Sequence, residues 1–368
     1  ELVGPAGALD DPKLELRLDN MGFDRISIGD EEMSRVEVGA RQALPFPGKR
    51  EARRALARAE TAMAEAELAA AERELELEIA RSAAELYARD RELVLLDEIH
   101  ELLQLMSATV AARYGAGEGD QRALVRVHLS TSKHDALREE AGRARDAAAA
   151  ELRGALALPA EVPMPRVDRL WAVGPPPEAL AARAVSEAPE VAVRAARVAI
   201  AERRLAIERL ELRPDLSLAG GLVYRGDLDP GFSLGVGVEL PLWRRRRQEP
   251  RVRAAEQELR AARESLRAAE LAARADGERL EAAFDRLQRS LALYSEGVVP
   301  QSAMVFDVAR SGYLAGRGEL AIALDDLGAW LEARVELARL EAERAATAAE
   351  ITALVAPQPT VPLEGDAP

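Results

Sequence analysis

The only histidines in this 368-residue chain are His100, His128 and His134, and their spacing builds no catalytic or metal site. Neither His-Glu-x-x-His nor the Glu-x-x-His pair of di-iron proteins is present. Each is therefore expected on a solvated helix face. The run GAGEGD from Gly115 imitates a dinucleotide loop, but it follows a helix pattern rather than a strand, so the geometry that cradles pyrophosphate is missing. No Ser/His/Asp arrangement stands out. Zero cysteines exclude a disulfide framework and any thiolate metal or redox centre. The run Arg244 to Arg247 could meet nucleic acid, but it is isolated in a chain with 64 acidic and 50 basic residues, net −14. Beside a strand end it marks a membrane boundary or a tunnel entrance instead. No enzyme, cofactor, metal site or nucleic-acid partner is expected.

The informative spacing is long-range. A turn reads YGAGEGD from Tyr114 and YLAGRGE from Tyr313, 199 residues apart, and strand-to-helix junctions ALPFPGKR around Pro45 and ELPLWRRR around Pro241 lie 196 apart. Two nearly equal periods indicate an internal duplication, and duplicated helical hairpins build tubes or arrays more readily than catalytic pockets. Composition agrees: 48% of residues are hydrophobic but only 4% aromatic, the Ala- and Leu-rich balance of long packed helices.

The helices can be bracketed by their punctuation. Gly48 to Ala112 is uninterrupted by Gly or Pro, a helix of 65 residues, roughly 97 Å at 1.5 Å per residue. Leu75, Ile79, Leu86, Leu93, Leu96 and Leu103 form a heptad-like seam padded with alanine, which predicts left-handed supercoiling against close neighbours. The second copy runs from about Arg251 to Gly312, with Pro300 as an internal interruption. No stretch of about 18 apolar residues could form a spanning helix, so any membrane contact must be made by strands.

Strands are short and regular. Leu14, Leu16 and Leu18 alternate with Glu15, Arg17 and Asp19; Val36 and Val38 alternate with Glu37 and Gly39; Phe232, Leu234, Val236, Val238 and Leu240 alternate with Ser233, Gly235, Gly237 and Glu239. This period of two suits either a tilted membrane strand or an ordinary half-buried hairpin. Four strands cannot close a useful barrel, so a membrane reading requires several copies. Phe46 and Trp243 stand where the strands end, as interfacial aromatics would.

The expected organisation is a first repeat over 1–158 (strand pair 12–45, long helix 48–112, return helix 120–156) and a connector over 159–187. A second repeat follows over 188–356 (helix 188–212, strand pair 214–242, long helix 251–312, return helix 319–353), then a disordered tail over 357–368.

The duplicated order of strand pair, long helix, Tyr-x-x-Gly turn and return helix resembles the TolC-like outer-membrane efflux family over nearly the whole chain. AGALDDPKL from Ala6 and QALPFPGKR from Gln42 resemble its heavy-metal cation (CzcC/CusC-like) branch. The resemblance implies a mainly α fold with a small β part: a homotrimer whose twelve-stranded barrel, four strands per chain, meets outer-membrane lipid and continues as a helical tunnel across the periplasm. Substrate, heavy-metal cations in that branch, would pass unchanged. Tips at Tyr114, Gly115 and Gly117 and at Tyr313, Gly316 and Gly318 would meet a membrane-fusion adaptor bound to an inner-membrane RND-type pump; the same glycines also suit a plain helix reversal.

By the same resemblance, Asp325 occupies the family's acidic constriction, with Asp326 following it and Arg126 in the corresponding place of the first repeat. Carboxylates repeated around a three-fold axis would attract cations, whereas a solvated helix face remains the ordinary reading of each alone. With no Cys, three His and six Met, selectivity among metals is expected in the pump. The family's first helix, before Leu14, has no counterpart here, and a missing amino-terminal stretch with its signal sequence is the simplest account; a naturally shortened protein is the other. Against the conduit stands a soluble coiled-coil-like scaffold or a non-functional truncated relative. The scaffold buries Leu14, Leu16, Leu234, Val236 and Val238, and the conduit exposes them.

Overall fold

The structure is a computed structural model and describes residues 3–19, 34–117, 119–226 and 228–355. The tail expected over 357–368, and residues 20–33 of the strand pair expected over 12–45, lie outside the described residues. A short helix α1 (Val3–Ala6) precedes β1 (Lys13–Asp19), β2 (Arg35–Leu44), α2 (Lys49–Gly115) and α3 (Gln121–Ala155). Then follow α4 (Leu180–Glu187), α5 (Pro189–Leu210), β3 (Asp215–Arg225), β4 (Leu228–Glu239), α6 (Gln248–Leu293), a π-helical turn (Tyr294–Val298), α7 (Val299–Leu314) and α8 (Leu320–Leu354). The fold is mainly α with one small sheet. Two compact units, 1–68 with 190–269 and 69–189 with 270–368, each take a part of both repeats.

In the first unit the strands form one antiparallel sheet in the order β1-β2-β3-β4. Its register collects the apolar residues on one face. Leu16 pairs with Val38, Val38 with Leu222, and Leu222 with Phe232; Leu218 pairs with Val236. The opposite face carries Glu15, Arg17, Glu37 and Arg41 on β1 and β2, with Arg35 paired to Asp19 at 2.9 Å and Arg41 to Glu15 at 2.9 Å. On β3 and β4 that face is lined by Ala219, Gly221, Ser233 and Gly235, and Ser233 hydrogen-bonds Glu37. The helices of this unit pack through Ala201, Leu205, Ala255 and Leu259.

In the second unit the seam of α2 sharpens to Leu96, Ile99, Leu103, Met106 and Val110, steps of three and four, the signature of knobs-into-holes packing. Leu75, expected in that seam, is exposed. The connector is tied down by a buried charge pair: Asp90 accepts from Arg145 Nε at 3.0 Å and from the Val167 amide at 2.9 Å. Its last residues form α4, with Leu180 and Ala184 fully buried. Pro300 breaks the second long helix as anticipated. A proline has no N–H and its ring crowds the carbonyl four residues back; the chain accommodates this with the π-helical turn just before it. Helix α6 starts three residues before the expected Arg251 because Pro250 sits in a first turn, where the missing N–H would be unpaired anyway.

Candidate functional sites at the helix tips and the strand junction

The two tips, both in the second unit, are built alike. Three residues past each tyrosine a glycine takes positive φ, +78° at Gly117 and +73° at Gly316, and the preceding helix end is closed through the Gly117 amide on the Tyr114 carbonyl (3.1 Å) and the Gly316 amide on the Tyr313 carbonyl (3.0 Å). Five residues past each tyrosine a second glycine backs onto the helix. A β-carbon there would stand 2.7 Å from the Tyr114 nitrogen at Gly119 and 3.0 Å from the Tyr313 nitrogen at Gly318. The new helices then begin at Asp120, whose side chain accepts from the Arg122 amide at 3.0 Å, and at Glu319, which offers no side-chain cap.

The tyrosines diverge. Tyr114 is 44% exposed, whereas Tyr313 is 9% exposed and sits in the cluster of Leu103, Val110, Phe306 and Leu320. Arg113, which the sequence reading passed over, covers it: its Nη1 donates to the Tyr313 carbonyl at 2.9 Å and its guanidinium lies 5.5 Å from the ring centre. Arg310 over Phe306 (5.6 Å) and Arg334 over Trp330 (4.9 Å) repeat the arrangement, with Phe306 and Trp330 stacked at 5.6 Å. A chain poor in aromatics concentrates three of them beside one tip.

Asp325 is exposed and Asp326 half-buried on the first turns of α8, between buried Ala323 and Leu327. Ile322, Asp325 and Ala329 form an exposed stripe pointing away from this protomer's own core. Arg126 is exposed on α3, and among the described residues none of Asp325, Asp326 and Arg126 makes an ion pair within the chain. The structure therefore leaves Asp325 and Arg126 exposed and Asp326 half-buried, and joins none of them by an ion pair.

The histidines depart from the solvated expectation. His134 is buried; its Nε2–H donates to the Leu96 carbonyl at 2.7 Å, and its ring stacks on His100 at 6.1 Å. Burial lowers its pKa below the usual 6.5; His100 and Arg138 act in the same direction, against the Leu96 carbonyl bond and Asp135. His100 Nδ1 lies 3.1 Å from Asp135 but out of line for a hydrogen bond. Only His128 is exposed as anticipated. No cluster able to hold a metal ion occurs among the described residues.

At the strand junction in the first unit, Lys49 of the PGK motif is only 2% exposed and bonds Asp215 at 2.8 Å and Glu211 at 3.0 Å. Asp215 also accepts from the Phe46 amide at 2.7 Å, and Arg213 lies 5.9 Å over the Phe46 ring. Burial acts to lower the Lys49 pKa, but the two carboxylates outweigh it and the net shift is upward. Lys49, Glu211, Asp215 and the Phe46 amide thus clamp the start of α2 to the start of β3 and to the segments just after β2 and α5. Trp243, at the other junction, is 69% exposed, and beyond it Leu14 and Leu234 on the sheet reach 83% and 82%.

The family described as outer membrane efflux protein matches residues 180–356. No curated protein matches by sequence. Among solved structures, the outer membrane protein VceC from Vibrio cholerae is similar with a TM-score of 0.78 at 16% identity, over 96% of this chain and 88% of that one. The outer-membrane channel OprN gives 0.79 at 16%, over 96% and 82%. CusC, described in terms of transmembrane channel formation, gives 0.78 at 16%, over 96% and 85%.

Proposed function

We propose that this chain, whose residues 180–356 match the outer membrane efflux protein family, is an outer-membrane channel protomer of a tripartite efflux system. Three copies place their four-stranded sheets edge to edge in a twelve-stranded barrel, and their helices continue as a conduit into the periplasm. In this reading the chain conducts its cargo unchanged and is a transport channel, not an enzyme; the match to the outer membrane efflux protein family over residues 180–356 supports it.

The observation that carries the reading is the sheet. Each fully buried leucine or phenylalanine contributes about 1.5–3 kcal/mol, yet Leu14, Leu16, Leu222, Phe232, Leu234 and Val236 all stand exposed on one face. A soluble scaffold forgoes that stabilisation; a lipid-facing sheet recovers it. The opposite face is charged or small, as a water-filled lumen requires. Both edges of the sheet, β1 and β4, lack strand partners among the described residues, and closure by copies removes them.

In this reading Tyr114, Gly115, Gly117, Gly316 and Gly318 line the ends that meet a periplasmic adaptor and an RND-type pump, with Tyr313 holding the tip's shape from inside. Asp325 and Asp326 form the cation-attracting constriction, with Arg126 near it. Phe46 and Trp243 mark the membrane boundary. A heavy-metal cargo is supported by the resemblance of the PFPGKR junction to the heavy-metal branch. Separating the membranes of expressing cells and crosslinking the product tests the assembly: the reading expects trimers in the outer membrane, and a soluble monomer sinks it.

A further inference from the structure

Both strand-to-helix junctions open on cations, and the two repeats use them differently. In the first, Lys49 is locked to Asp215 and Glu211, Arg50 Nε donates to the Gly7 carbonyl at 2.8 Å, and Arg58 pairs with Glu51 at 3.2 Å. In the second, Arg244 to Arg247 are all exposed. Arg244 reaches Glu249 at 3.6 Å, and the side chains of Arg245, Arg246 and Arg247 have no partner among the described residues. Their turn is nonetheless ordered by its backbone, because the Trp243 carbonyl accepts from the amides of both Arg246 and Arg247 at 2.9 Å.

Three adjacent guanidinium groups repel one another, and among the described residues no carboxylate pairs with any of the three. Guanidinium groups are suited to phosphate oxygens, which they can bind bidentately. The neighbours select the kind of phosphate. Leu242 and Trp243, 78% and 69% exposed, precede the arginines directly and continue the bare apolar face of β4 through Leu240. An apolar strand passing into an exposed tryptophan and then into a basic turn is the order of layers at a lipid interface: hydrocarbon, aromatic belt, headgroup.

We infer that Arg245, Arg246 and Arg247, with Trp243 beside them, form a binding site for anionic phospholipid headgroups on the periplasmic leaflet. This rests on the membrane reading proposed above. The site sits on the second repeat, because the cations that open the first helix, Lys49 and Arg50, are held by the clamp and by the Gly7 carbonyl.

The test uses the full-length protein reconstituted in vesicles of phosphatidylcholine alone or of equal parts phosphatidylcholine and phosphatidylglycerol, then extracted with its bound lipid. The wild type should retain phosphatidylglycerol above its share in the vesicle, less so in high salt. The variant Arg245→Gln/Arg246→Gln/Arg247→Gln should retain the two lipids in the vesicle proportion, a severalfold loss of preference, while inserting equally well into phosphatidylcholine. An unbiased wild type, or a variant that keeps the bias, overturns the site. So does inorganic phosphate abolishing the bias at matched ionic strength, since that describes a general anion site. If neither protein enters phosphatidylcholine vesicles, the membrane reading has failed and the lipid site falls with it, an outcome separate from loss of bias in inserted protein.

Discussion

Arg113, one residue before the first tip tyrosine, holds Tyr313, the corresponding tyrosine of the second tip: the guanidinium donates to its carbonyl at 2.9 Å and covers its ring at 5.5 Å. The duplication has thus become asymmetric, with one repeat supplying the clamp and the other the residue clamped. Arg113→Ala removes a charge-assisted hydrogen bond and a cation–π contact, together about 1–3 kcal/mol locally. Hydrogen exchange should quicken at the amides near Tyr313 and Gly316 with little change in the sheet. Unaltered exchange at that tip would refute the clamp.

The glycines at the tips divide into two kinds. Gly119→Ala and Gly318→Ala bring a β-carbon within 2.7 Å and 3.0 Å of a tyrosine backbone nitrogen, a contact that the turn must move to relieve. Gly115→Ala meets nothing within 4 Å. The first two should each lower stability by about 1–3 kcal/mol, and Gly115→Ala should be near neutral. Thermal unfolding of the three variants side by side decides this, and equal effects would contradict it.

Lys49→Met leaves Asp215 and Glu211 without their shared cation. Both carboxylates are about a third exposed, so the cost falls below that of a fully buried pair, about 2–3 kcal/mol. The pKa of Lys49 is raised, so its contribution is complete below 10.5 and is lost only as pH rises through the folded-state value. Denaturant titration should show the wild type's advantage over Lys49→Met intact at neutral pH and shrinking in strong alkali.

Acid should act through His134. Its pKa is lowered on folding, so its contribution is complete above 6.5 and is lost as pH falls through the folded-state value. Melting followed from about pH 7.5 down to about pH 5 should decline more steeply in the wild type than in His134→Gln, which keeps a donor for the Leu96 carbonyl but cannot titrate. Parallel curves would remove His134 as the cause.

What could be read from the sequence was whatever repeats locally. The sheet faces were legible because Leu14, Leu16, Phe232 and Leu234 alternate strictly with polar or small residues, and period two survives without knowledge of partners. The long helices were legible from the absence of Gly and Pro between Gly48 and Gly115. The misses all involve partners distant in the chain or short elements. Arg113 and Tyr313 are 200 residues apart, Lys49 and Asp215 166, and no local pattern links them. His134 looked solvated because a single histidine among charged neighbours does not reveal that its ring turns toward Leu96. Helix α4 escaped because its eight residues are too few to show a period between the prolines at 177 and 189.

Asp325→Asn should reduce cation preference in planar-bilayer recordings, with the larger effect in low salt, where carboxylate fields are least screened. Arg126→Gln should leave the preference intact or increase it. An unchanged reversal potential in Asp325→Asn would return that residue to an ordinary solvated helix face.

The central claim, that the sheet crosses a membrane with its apolar face in lipid, is tested most directly by cysteine labelling, since the chain has no cysteine of its own. Leu14→Cys and Leu234→Cys should be labelled in reconstituted vesicles by a lipid-soluble maleimide and protected from a charged one. Glu15→Cys and Gly235→Cys, one residue along on the other face, should show the reverse. That alternation is the predicted result; equal reaction of all four with the charged reagent would contradict the account.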